Sequence, residues 1–130
     1  MDTSNRFSLK KRMKTFVFAF NGLRSLFKRE HNASIHLVSM LIAVVLGFYL
    51  HIELFEWLAI SIVIALVFMA ELFNTAIERL ADFVEPAWNN KIGLIKDYCA
   101  AAVLTTAFVS LIVGGIIFIP KIKTTLAAIF

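Results

Sequence analysis

Three long apolar runs separated by short polar interruptions dominate the chain between residues 35 and 119, and that rhythm predicts three membrane-crossing helices. The first run, Leu37 to Leu50, reaches spanning length only when Ile35, His36, His51 and Ile52 are counted, giving a helix over about 35–52. The second begins at Trp57, continues past Ala70 through Glu71 and ends near Ile77, giving about 57–77. The third, Tyr98 to Ile119, contains no charged residue and gives about 98–119. Helices satisfy their own backbone polar groups in lipid, so the pattern predicts an all-α integral membrane protein. Ahead of these runs, Phe16, Phe20, Leu23 and Phe27 recur at helical spacing among basic residues. Residues of about 7–30 therefore read as an amphipathic helix on the membrane surface, its cations near anionic headgroups.

Composition agrees with one membrane domain spanning 1–130, since 60% of the 130 residues are hydrophobic. Charge then orients it. Arg6, Lys10, Lys11, Arg12, Lys14, Arg24, Lys28 and Arg29 crowd the N-terminal segment, which has no cleavable apolar core of the signal-peptide kind. The positive-inside rule places this end in the cytoplasm of a multi-pass protein of the inner (cytoplasmic) membrane. The link 51–56 then faces outward and the segment 79–96 inward, with Lys121 and Lys123 outside, mildly against the rule. The net charge of +4 is thus an orientation signal, and no nucleic-acid partner is expected. Cys99 is the single cysteine, so no intramolecular disulfide can form, and its small neighbours suit packing.

Candidate chemistry starts with Glu71-Leu72-Phe73-Asn74-Thr75-Ala76-Ile77-Glu78-Arg79-Leu80-Ala81-Asp82. At about 100° per residue, Glu71, Asn74, Glu78 and Asp82 fall within roughly 80° of one another. A solvated helix edge would account for Asp82, but Glu71 has apolar residues on both sides, and an acid inside a membrane helix reads as functional. With a cytoplasmic N-terminus, Glu30, Glu78, Lys96 and Asp97 share one boundary, and Glu71 lies about 10 Å deeper than Glu78. A shallow polar zone suits a water-soluble reactant, and a deep carboxylate suits a lipid-soluble one. Shallow carboxylates with a lysine fit a nucleotide, because Mg²⁺ takes one or two carboxylates plus phosphate oxygens. The deep Glu71 is placed to accept a proton from an alcohol at the lipid boundary. No Walker or other Gly-rich phosphate loop is present, so side chains and helix ends must build the site.

The string Glu71 to Glu78, with Ile95-Lys96-Asp97, the small run Ala100-Ala101-Ala102-Val103, Gly22-Leu23-Arg24 and Glu30, resembles the prokaryotic diacylglycerol kinase family. That family includes an undecaprenol kinase branch, and the likeness spans roughly Lys10 to Pro120. The resemblance implies a homotrimeric membrane kinase, with active sites shared between subunits, that phosphorylates a membrane lipid alcohol with ATP and Mg²⁺. Diacylglycerol, giving phosphatidic acid, is the expected acceptor, and undecaprenol is the alternative with the same chemistry. It also implies that Glu71 is the catalytic base and that Asn74 helps to position the reacting groups. Glu30 and Glu78 then hold the metal bound to ATP, Lys96 and Asp97 contact the nucleotide, and Lys11 and Phe18 sit near it. Glu71 and Ala100 adjoin the lipid substrate. Glu30-His31-Asn32 with Ile35-His36 is similar to the undecaprenol kinase branch, which leaves the acceptor open. Trp88 and Asn89 fall where further nucleotide contacts occur, but match no motif.

Other residues have simpler readings. His36 and His51 flank the first span as interfacial polar caps, and His31 next to Glu30 is a surface group. Tyr49 and Trp57 suit an aromatic belt on the outer side. Gly114-Gly115 permits close helix approach or is merely a soft spot. A non-catalytic transporter or assembly subunit is the competing class. It would call for buried polar residues in several spans, and here only the second has a deep acid.

Overall fold

The computed structural model describes residues 9–128, with side chains from residue 12 onward. Four helices follow one another: α1 (Leu9–Arg29), α2 (His31–Tyr49), α3 (Leu54–Val84) and α4 (Asn90–Ala127). The last three are each long and apolar enough to cross a membrane. This is the all-helical membrane architecture that the apolar runs predict. Its large apolar side chains point outward: Val45 and Phe48 on α2, and Leu104, Phe108 and Leu111 on α4, are all well exposed. Such a surface is anomalous in water and ordinary in lipid.

α3 and α4 extend well past the apolar runs at the end that carries the N-terminus. Polar turns continue both helices, so the connection between them shrinks to 85–89. Asn89 starts α4 by accepting a hydrogen bond from the Lys91 backbone N–H at 2.9 Å, satisfying one of the free donors of the first turn. At 1.5 Å per residue α4 is about 57 Å long, more than a bilayer core requires. Within lipid, α4 hides its hydroxyls: Thr105, Thr106 and Ser110 each donate to a backbone carbonyl of their own helix.

α1 meets α2 across one non-helical residue, Glu30, whose backbone is extended (φ −106°, ψ 113°). Leu26 and Ala33, on either side of it, are fully buried, and the Ser34 hydroxyl donates to the carbonyls of Phe27 and Glu30. Phe27 also stacks edge-on against Phe68 of α3, with ring centroids 5.7 Å apart. The last turns of α1 are thus fixed to the bundle, while residues 12–24 stay exposed.

At the opposite end, the turn from α2 to α3 passes through His51, whose left-handed backbone (φ 50°) a non-glycine residue adopts only in tight turns. Ile52, Ile60, Ile117 and Phe118 form a buried cluster just inside it. Gly47 is required there, because a Cβ would sit 2.7 Å from the Trp57 ring and 3.0 Å from Ile52. Trp57 therefore packs in the α2–α3 corner, against Phe48 at 4.9 Å, while Tyr49 remains exposed. Glu53 and Glu56 cap α3 reciprocally, and Glu56 also accepts from Lys121 at 3.0 Å. That pairing gives Lys121 a local partner on the side where the charge rule disfavours it.

Candidate active site

One face of α3 runs from buried to exposed as it leaves the apolar zone. Glu71 is 2% exposed, Thr75 is buried, Asn74 and Glu78 are half-buried, and the Asp82 side chain is open to solvent. The 3.6-residue period of the helix aligns these side chains, and its direction grades their depth. Three neighbouring oxygens on this face, Glu71 Oε1, Asn74 Oδ1 and Thr75 Oγ1, are buried without a hydrogen-bond partner. Buried polar atoms are normally satisfied, so three together mark a place prepared for something other than packing.

α2 supplies the facing wall. His36 Nε2 lies 3.3 Å from Glu71 Oε1, within ion-pair distance but not aligned as a hydrogen bond. One turn beyond the membrane zone, Glu30 accepts from Arg79 at 3.5 Å, which ties the α1–α2 junction to α3 beside Glu78. The carboxylates of Glu30 and Glu78 both lie within electrostatic reach of Glu71. The Glu30–Arg79 pair thus brings the α1–α2 junction to the part of α3 that carries Glu78. No group of three or more His, Cys, Asp or Glu side chains among the described residues could hold a metal ion unaided. Two carboxylates do suit a Mg²⁺ ion that brings its remaining oxygen ligands with a triphosphate.

Lys96 and Asp97 stand across the α3–α4 connection. Lys96 is half-buried and donates to Asp82, one helical turn past Glu78, whereas Asp97 is exposed. Asp82 is thereby the partner of Lys96 as well as the solvated end of the acidic face. Lys96 also closes a cavity of about 190 Å³, whose other walls include Glu85, Trp88, Asn89 and Gly93. Trp88 is 90% exposed, with its indole N–H donated to Asn90, and Asn89 is occupied as the helix cap. Ala100 is exposed on α4, one turn after Lys96, and Phe18 is exposed on α1. The Lys11 side chain lies outside the described residues, as do residues 7 and 8 at the start of the expected surface helix.

Toward the membrane interior a second, larger groove of about 360 Å³ opens between α2, α3 and α4. His36 lines its end nearest Glu71, and Met40, Ile64, Val67, Phe68 and Phe118 line its length. Gly114 and Gly115 also line it, and a Cβ on either would meet only its own helix at ordinary contact distance. Inside the protomer they widen the groove; they do not bring helices together.

His36 is the site residue that reading it as an interfacial cap overlooks. Its signal lies in matched depth. At 1.5 Å per residue His36 is about 9 Å beyond Glu30, and Glu71 is about 10 Å beyond Glu78. On antiparallel helices joined at the Glu30–Arg79 level, those two residues fall at the same depth, and the fold turns them toward each other.

Comparison with known proteins identifies the family. The sequence profile of the prokaryotic diacylglycerol kinase family matches residues 17–118. An undecaprenol kinase of Bacillus subtilis (strain 168) is 32% identical over 123 residues, covering 94% of this chain and all of that protein. A diacylglycerol kinase of Synechocystis is 29% identical, covering 83% of this chain and 62% of that protein. A diacylglycerol kinase of Escherichia coli (strain K12) is 28% identical, covering 77% of this chain and 82% of that protein.

Proposed function

The chain belongs to the prokaryotic diacylglycerol kinase family and is a membrane lipid kinase, and on that premise we propose that it transfers the γ-phosphate of MgATP to a lipid hydroxyl at the acidic face of α3. The observation that carries the assignment is the gradient along that face, from Glu71 at 2% exposure to the half-buried Glu78 and the solvent-facing Asp82. A hydroxyl arriving from lipid and a triphosphate arriving from water meet along such a gradient.

Each residue then has a task. Glu71 takes the hydroxyl proton as the acceptor oxygen bonds to the γ-phosphorus and ADP departs. Asn74, one turn away, helps to orient the reacting groups. Glu30 and Glu78 would hold the Mg²⁺ that accompanies the nucleotide, and that ion would supply charge neutralisation to the phosphates. Lys96 moves from Asp82 to the phosphates, and Asp97, Phe18 and Lys11 complete the nucleotide side, with Ala100 beside the lipid. Because the basic N-terminal segment favours the cytoplasm, this face opens on the cytoplasmic side of the inner membrane, where ATP is available. Completion of the site by neighbouring subunits of a homotrimer is part of the same proposal.

Diacylglycerol is the acceptor that the family suggests. Undecaprenol is the second reading, favoured by the full-length similarity to an undecaprenol kinase and by the groove at His36. The groove's serines, Ser39 and Ser110, already donate to backbone carbonyls, leaving little to greet ester groups. The deciding experiment is a mixed-micelle assay with radiolabelled ATP, offering dioleoylglycerol and undecaprenol side by side. Transfer of label to either lipid supports the kinase reading and names the acceptor. Absence of transfer to both, with Mg²⁺ present, overturns it.

A further inference from the structure

We propose that His36 is the positioning residue of Glu71: its Nε2–H holds one carboxylate oxygen so that the other is aimed at the lipid hydroxyl. This rests on the kinase reading above but is argued from separate geometry. The two residues belong to different helices, and their 3.3 Å approach is the sole ion-pair contact described for Glu71. Glu71 has otherwise little to fix it, since its Oε1 is buried without a hydrogen bond and its neighbours Asn74 Oδ1 and Thr75 Oγ1 are likewise unpartnered.

The position of the imidazole explains why a histidine suits this task. His36 lines the apolar groove while it approaches the carboxylate, so one side chain joins an apolar surface to the acid. In this proposal the other oxygen, Oε2, is the lone-pair donor to that hydroxyl. During transfer the acceptor O–H proton passes to Oε2, the acceptor oxygen bonds to the γ-phosphorus, and the bond from that phosphorus to the β-phosphate oxygen breaks. His36 neither gains nor loses a bond in this step. The 3.3 Å contact is within reach of a hydrogen bond, and catalytic hydrogen bonds shorten when substrate binds. A loose carboxylate would swing out of line, and a misplacement of about 1 Å costs on the order of 100-fold in rate.

Two measurements on the full-length protein test this. In the mixed-micelle assay, His36→Ala should lower kcat by about 10- to 100-fold while KM for MgATP stays within about twofold, since the nucleotide side is untouched. His36→Gln, which restores an N–H at similar reach, should recover most of the lost kcat. A kcat for His36→Ala within about twofold of the parent, or a Gln variant no better than Ala, would overturn the proposal. Should the Ala variant fail to fold, His36→Asn takes its place in the same comparison with Gln. The second measurement does not depend on activity. With ¹⁵N-labelled histidine, Glu71→Gln should shift the His36 ring resonances and leave those of His31 and His51 in place. Unchanged His36 resonances overturn the contact even in an active enzyme, whereas an inactive parent with the shift present would count against the kinase reading alone.

Discussion

Where α2 turns into α3, Glu53 and Glu56 cap the new helix and Glu56 also takes a hydrogen bond from Lys121. About 22 Å further along the same helix, Glu71, Asn74 and Thr75 keep buried oxygens without a partner. The first region also packs so closely that Gly47 has no room for a Cβ. The difference separates what folds the protein from what it does. Satisfied polar groups and tight packing close the corner, and unsatisfied oxygens are kept along the face proposed to receive substrate.

That contrast can be broken most sharply at Glu71. Glu71→Gln should reduce turnover by about 10²- to 10⁴-fold, the range typical of losing a positioned base. MgATP binding by calorimetry should persist, and thermal stability should hold or rise because an amide carries no charge to bury. Near-normal turnover in the purified variant would sink the assignment of Glu71 as base. Next in size, Glu78→Ala should weaken Mg²⁺-dependent nucleotide binding by about 10- to 100-fold, as loss of a metal-binding group does. An unchanged metal dependence would return Glu78 to the solvated helix edge.

The closed corner should respond in the opposite currency. Gly47→Ala forces a methyl into the Trp57 ring and should cost about 1–3 kcal/mol, read as a lower unfolding midpoint in detergent, with kcat of the folded enzyme unchanged. Loss of activity without loss of stability would show that the corner and the site are not separable. The smallest effect is expected from Lys121→Ala. Both partners of that ion pair are about one-quarter exposed, so the unfolding midpoint should move less than for Gly47→Ala.

Much of this was legible in the chain itself, for identifiable reasons. The spans follow from hydrophobic runs, and the graded face from residues spaced at three and four. Glu71 stood out because an acid inside an apolar run has few ordinary explanations. The polar ends of α3 and α4 were less visible, since hydropathy marks where lipid is and does not mark where a helix stops. Asn89 carried the missing signal, as a favoured capping residue just before Asn90. The contact of His36 with Glu71, the pairing of Lys96 with Asp82 and the fit of Trp57 over Gly47 are tertiary facts. Each joins residues from different helices, and periodicity within one helix carries no information about its neighbour's register.

The clamp just ahead of Glu30 has a mechanical consequence. α1 is 21 residues long and its final turns are fixed to the bundle through Leu26 and the Phe27–Phe68 contact, so residues 12–24 form an exposed arm whose fulcrum is that clamp. At 1.5 Å per residue the arm measures about 20 Å, so a swing of roughly 5° moves its far tip by about 2 Å. Glu30 lies on the other side of the clamp, paired with Arg79, so bilayer displacements of the arm are absorbed before they reach its carboxylate.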